Sequence, residues 1–191
     1  MKDIKINKIT IIIGCNHGEV SEVKFNALNQ CLGELVENSY GDINMLTYEL
    51  KNNNQLLIEN NSIKYCVMEN EFNKSVVKET LDKVFERLML GNNISITLDL
   101  QGTSESENYC KELIDMYKGE VNKIDRQLVA LGYRFLFEGK GFKDDLRVEP
   151  LFADNNFLFH QLIRSYDFTN DLDSVLNNLE KIYEDADSYL K

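Results

Sequence analysis

Between Asn73 and Leu100 the hydrophobic period changes from about 3.6 residues to about 2, a switch that commits the chain to packing a helix against a sheet. Val77, Leu81, Val84, Phe85 and Leu88 form one apolar stripe on a helix, and Glu79 and Lys83 stand four apart on its wet side. Asn73 is placed to cap the first turn. Gly91 is placed to take the left-handed conformation past the last turn, with Asn92-Asn93 as the turn beyond it. From Ile94 to Leu100 every apolar residue then alternates with a polar one, which predicts a strand with one greasy face.

The same reasoning extends in both directions. Ile4 to Ile13 reads as a first strand whose nearly continuous isoleucines predict burial on both faces. Ser21 is placed to cap a helix that runs through Phe25, Leu28, Cys31, Leu32 and Leu35 and stops near Asn38. Ile43 to Leu50 reads as a strand. Gln55 to Glu59 and Ser62 to Met68 form the best hairpin in the chain, with Asn60-Asn61 suited to a type I′ turn.

Beyond Gln101 to Ser106, read as a polar connection, Ser104 and Glu107 fit a capping box for a long helix. Its Cys110, Ile114, Tyr117, Val121, Ile124, Leu128 and Leu131 recur by fours and threes, the pattern of a helix seam. Ile114, Tyr117, Val121, Ile124 and Leu128 are therefore the candidate interaction face. Gly132 should end that helix. Strands come next at Tyr133 to Phe137, at Leu146 to Phe152 and at Phe157 to Phe168, the last with a bulge near His160-Gln161. Lys143 to Glu149 reads as a solvated, charge-dense hairpin tip. Asn170 should cap a closing helix that carries Leu172, Val175, Leu176, Leu179 and Ile182.

These elements predict an α+β chain, a mostly antiparallel or mixed sheet with helices packed on it. The first half has the order of a split βαβ (ferredoxin-like) unit with one extra strand, and a helix, three strands and a helix extend it. We read residues 1–191 as a single α+β domain, with a subdivision, if there is one, near residues 101–106. The hydrophobic fraction of 43% is ordinary for a globular chain, and a single proline leaves no Pro-rich linker.

A formal charge of −11 argues against nucleic acid as a partner, because Lys and Arg drive phosphate binding. Four cysteines with no C-x-x-C pair and no secretion signal ahead of them point to reduced thiols in the cytoplasm. No apolar run reaches the ~20 residues of a membrane span, so no membrane is expected.

The chemistry on offer is sparse. Cys15 and His17 lie in a Gly-flanked turn after the first strand, where His17 could activate a Cys15 thiolate. Ile13 to Gly18 loosely resembles the start of the ribose-phosphate isomerase B family, but Asn16 replaces the acid that precedes that family's histidine. Asp42, Glu49 and Lys51 resemble the acids and lysine of the PD-(D/E)xK nucleases, yet a seven-residue gap along one strand separates the acids by roughly 20 Å. Two histidines and scattered thiols suggest no metal, and no cofactor is expected. His160 reads as a satisfied, half-buried core residue. The leading expectation is an acidic protein that works without catalysis, by binding a protein partner, basic by charge complementarity, as an inhibitor, an immunity-type protein or an assembly subunit. Homo-oligomerisation through the long helix fits the same data. The alternative is a small-ligand-binding protein or enzyme built on Gly14 to Gly18 with Cys15 and His17.

Overall fold

The computed structural model describes residues 4–68, 72–91, 94–105, 115, 131–151, 154, 156–166, 171–179 and 181–182. It is an α+β structure built on a mostly antiparallel nine-stranded sheet. The strands are β1 (Lys5–Gly14), β2 (Val36–Gly41), β3 (Met45–Leu50), β4 (Gln55–Glu59), β5 (Ser62–Met68), β6 (Ser95–Glu105), β7 (Tyr133–Gly139), β8 (Phe142–Pro150) and β9 (Phe157–Tyr166). They line up in the order β2-β3-β4-β5-β1-β6-β9-β8-β7. Helices α1 (Glu22–Leu32), α2 (Lys74–Leu88) and α3 (Leu172–Asn177) complete the described elements.

The alternation of β6 decides which face is covered. Ile96, Leu98 and Leu100 pair with Ile13, Ile11 and Ile9 of β1, and all six side chains are buried on one face. The same face continues through Ile63, Tyr65 and Val67 of β5 and through Leu158 and Leu162 of β9. Leu28 and Leu32 of α1, Val77, Leu81 and Val84 of α2, and Val175 and Leu176 of α3 join them in one core cluster. Fully burying one such aliphatic side chain stabilises the fold by roughly 1.5–3 kcal/mol. The opposite face carries Thr97, Asp99, Gln101, Gln161 and Ser165, tied together by Gln101–Asp99, Gln161–Asp99 and Thr97–Ser165 hydrogen bonds. Ile12 lies on that face and is only half-buried, so β1 is not sealed on both sides as its isoleucine run predicts.

Local signals place several elements closely. Asn73 caps α2 by accepting from the Ser75 and Val76 N–H groups, and β4 and β5 begin and end where the sequence places them. Other boundaries move for identifiable reasons. The first helix stops at Leu32, and after a 3₁₀ turn at Gly33–Leu35 the chain becomes β2, a short polar edge strand that hydrophobic periodicity does not reveal. Met89, not Gly91, takes the left-handed position after α2, with φ 53°, because its N–H closes the helix on Glu86 O and Phe85 O. Neither Asn60 nor Asn61 has positive φ, so the β4–β5 turn is not type I′. Residues 101–105, read as a connection, continue β6. Ser104 is thus a strand residue and caps no helix. The long helix and its interaction face at Ile114, Tyr117, Val121, Ile124 and Leu128 lie outside the described residues.

The last third departs most from the pattern. β8 starts at Phe142, so Lys143 to Glu149 is a strand rather than a solvated tip, and Pro150 ends it where β7 no longer pairs. β9 keeps one uninterrupted register against both β6 and β8, with no bulge at His160-Gln161. The apparent change of phase arises because polar residues occupy two inward positions: Leu158, His160, Leu162 and Arg164 all face the core. Arg164 forms a two-pronged pair with Asp144 of β8, at 2.7 and 2.6 Å, and stacks 3.9 Å from the centre of the Phe142 ring. Asp171, one residue later than expected, caps α3 by accepting from Ser174 N–H.

Candidate functional site

The turn after β1 is held against the β4–β5 hairpin and α1, with Cys15 and His17 tied to separate partners rather than to each other. Cys15 N–H donates to Asn61 O at 3.1 Å, and Val20 N–H donates to Asn60 Oδ1 at 2.8 Å. Both asparagines of the β4–β5 turn are therefore occupied in clamping the Gly14–Val20 loop. His17 Nε2 lies 2.6 Å from Glu59 O, and its Nδ1 lies 3.3 Å from Lys24 Nζ. A carbonyl can only accept and an ammonium can only donate, so the ring is neutral with its proton on Nε2. Burial lowers the His17 pKa, and the Lys24 charge lowers it further against the pull of the Glu59 carbonyl. The Lys24 ammonium also donates to the carbonyls of His17 and Glu19, closing the loop from the helix side.

This geometry is unfavourable for nucleophilic chemistry. The Cys15 thiol is 8% exposed, and burial pushes its pKa up to about 11, away from the thiolate that reacts. Among the described residues no hydrogen bond joins Cys15 to His17, because each is fixed to a different part of the β4–β5 hairpin. Asp42 and Glu49 are likewise separate. Asp42 accepts from the Asn44 and Met45 N–H groups in the β2–β3 turn, whereas Glu49 bonds Asn38 and Tyr40 on β2.

The core of the second half holds a pair that no sequence pattern brings together. Ser104 Oγ and His160 Nε2 lie 2.7 Å apart, and both residues are almost wholly buried. His160 Nδ1 has no hydrogen-bond partner among the described residues, and burial drops the ring's pKa to about 4, so it is neutral. The tautomer with the proton on Nε2, donating to Ser104, leaves a bare acceptor rather than a stranded N–H. Among the described residues no carboxylate bonds Nδ1 to orient the imidazole, so the pair lacks there the third member of a hydrolytic triad. Its one signal in the sequence is the phase break in β9, which marks inward polar residues.

Beside the clamped loop is a surface feature of a different kind. A pocket of about 270 Å³ opens between the start of α1 and the β2–β3 turn, lined by the apolar Val20, Phe25 and Leu46 and by the exposed Glu22 and Asp42. Ile43, 84% exposed, also lines it, and Val23 on the first turn of α1 is 78% exposed. Apolar side chains left this open beside carboxylates are a feature of binding surfaces. The sequence offers no way to see it, because its residues come from two separate stretches of chain, 20–25 and 41–46.

Among the described residues, no group of three or more His, Cys, Asp or Glu side chains is arranged to hold a metal ion, and no helix is long and apolar enough to cross a membrane. Compared with known proteins, the chain matches no family model, and no curated protein matches it in sequence.

Proposed function

We propose that this chain acts by binding another protein, a basic one, and that the pocket between α1 and the β2–β3 turn receives one of its lysine or arginine side chains. The observation that carries this reading is a lining that combines apolar side chains with two exposed carboxylates. Val20, Phe25 and Leu46 suit an aliphatic stem, and the exposed carboxylates of Glu22 and Asp42 in the same lining suit its cationic head. The net charge of −11 adds long-range attraction for such a partner. An inhibitor or immunity-type protein, or an acidic subunit of an assembly, would use a surface of this kind. The alternative, an enzyme or small-ligand protein using Cys15 and His17, is weakened by the protonated thiol and the tethered imidazole.

Two further readings accompany this proposal. The first half can be read as a split βαβ unit enlarged by β2 and β3, since β4-β5-β1-β6 has the strand order and directions of that arrangement. A cytoplasmic location fits the free thiols of Cys15, Cys31 and Cys66.

The test is capture from a lysate of the source organism with the immobilised protein, followed by elution with a salt gradient. A specific basic protein should be retained by the wild type and by Glu79→Gln, whose position on α2 is remote from the pocket lining. It should be lost with Ile43→Asp and weakened with Glu22→Lys. Equal retention by all four proteins, or no specific partner at any salt concentration, would refute the proposal.

A further inference from the structure

The loop that joins β1 to α1 is anchored at both ends by bonds that do not titrate. Cys15 N–H donates to Asn61 O at one end, and Val20 N–H donates to the Asn60 side-chain oxygen at the other. Between these anchors Asn16, Gly18 and Glu19 are exposed and only His17 is half-buried. Asn16 Oδ1 accepts from Gly18 N–H, a bond within the segment that ties it to nothing else. Among the described residues the middle of the loop is therefore held to the fold by two side chains, His17 and Lys24. The His17 ring reaches Glu59 O on β4. The Lys24 ammonium, arriving from the first turns of α1, takes the His17 and Glu19 carbonyls as well as the ring's Nδ1. Gly18, with φ 75°, supplies the left-handed bend that turns the chain around this ammonium, and a Cβ there would lie 3.6 Å from Lys24 Nζ.

This arrangement is complete only while the ring is neutral. Nδ1 must offer its lone pair to the ammonium, and Nε2 must carry the proton given to Glu59 O. A second proton can enter only at Nδ1, where it sets donor against donor and cation against cation 3.3 Å apart. No acid stands ready to absorb the added charge, since Lys24 is the one charge among the described residues that acts on the ring. On the hairpin the Glu59 carboxylate is taken by Ser62 and Lys64, at 2.8 and 2.7 Å, and in the loop the Glu19 carboxylate acts on Lys24. The Cys15 thiol is buried and stays protonated throughout the acid range. Burial and the Lys24 charge hold the folded ring's pKa below its ordinary 6.5, so an open loop, where both are relieved, binds the proton more tightly. Opening is thus favoured as pH falls below 6.5 and is not favoured above it.

We propose that residues 16–19 form an acid-opened latch, in which a proton on His17 Nδ1 expels the Lys24 ammonium and frees the segment between its Cys15 and Val20 anchors. Gly18 is the joint for that motion, because glycine takes positive and negative φ about equally readily. The core beneath stays in place, since neither anchor depends on a titrating group. The latch does not require the pocket beside α1 to bind anything, so either proposal can fail without the other.

NMR of the isotope-labelled protein from pH 7.5 to 5 tests it, read at the His17 ring and at the backbone amides together. At pH 7.5 the ring should show the Nε2–H tautomer, and the Gly18 and Glu19 amides should have order parameters of about 0.85, as rigid backbone does. Below pH 6.5, as the ring takes up its proton, those order parameters should fall under about 0.6 with the same midpoint, while the amides of Cys15, Val20 and α1 stay rigid. Lys24→Met should leave the segment mobile already at pH 7.5 and move the ring's midpoint up toward 6.5. His17→Gln, which cannot titrate, should show no change in order across the range. A segment that stays rigid around a protonated ring overturns the proposal, as does an Nδ1–H tautomer at neutral pH. So does a Lys24→Met protein with a rigid segment or an unmoved midpoint, or a His17→Gln protein whose loop still loosens in acid.

Discussion

The buried His160 should make the fold acid-sensitive by a calculable amount. Its neighbours across the ladder are Gly102 on β6 and Val148 on β8, neither of them charged, and among the described residues its one hydrogen-bond partner is the Ser104 hydroxyl. Burial alone takes its pKa from an ordinary 6.5 to about 4. Between those values the unfolded chain binds a proton that the folded chain does not, so stability must fall as pH falls through this window. The contribution is complete above 6.5 and exhausted near 4. At about 1.4 kcal/mol per pH unit the loss is on the order of 3 kcal/mol, a large share of the roughly 5–15 kcal/mol of a typical domain. Urea unfolding followed by circular dichroism at half-unit intervals from pH 8 to 4 measures it. His160→Gln serves as the reference because its amide can still bond Ser104 but does not titrate. The subtraction also removes the contribution of His17, whose pKa is likewise lowered by burial. A wild-type minus variant difference that stays flat from pH 7 to 4.5 would refute the reasoning, as would an imidazole that titrates near 6.5 by NMR.

Three other experiments probe the packing and the loop. Asp144→Asn should cost about 3–5 kcal/mol in urea unfolding, because it removes the carboxylate from the two-pronged pair that holds the buried Arg164 guanidinium; Asp144→Leu combined with Arg164→Met should cost less, since both charges of that pair are then gone. Gly102→Ala should destabilise by about 1–3 kcal/mol in the same assay, since its Cβ would come 2.7 Å from Lys5 O and 3.2 Å from Ile6 Cα, backbone atoms that move only if β1 shifts. Iodoacetamide should label Cys15 of the folded protein more slowly than the half-exposed Cys31, with the difference abolished in urea; faster labelling of Cys15 would revive a catalytic reading of the loop.

The residues alone reveal what neighbouring residues decide among themselves. Asn73 caps α2 through N–H groups two and three positions away, and β4 and β5 are bounded by the short Asn60-Asn61 turn, so both are visible without tertiary contacts. The β6 alternation sets its buried face whatever strands flank it. β2 is hidden because an exposed edge strand has no apolar face to advertise, and the first residues of β8, before the strand read from Leu146, pass for a loop because their charges alternate between a buried Asp144 and an outward Asp145. The same cause gives β9, itself legible as a strand, its apparent bulge, because His160 and Arg164 fill inward positions that a hydrophobic count reads as outward.

Local order along the chain therefore determined that this is a helix-and-sheet protein, and where most of its elements begin. Only the tertiary structure decided the strand order, which puts β1 and β6 at the centre and leaves β2 and β7 as edges, because pairing between distant strands depends on the whole set of competing partners. It also decided which polar groups are buried. Ser104 with His160 and Asp144 with Arg164 are 56 and 20 residues apart, and the low-dielectric setting that makes each pair matter exists only once the sheet has closed over them.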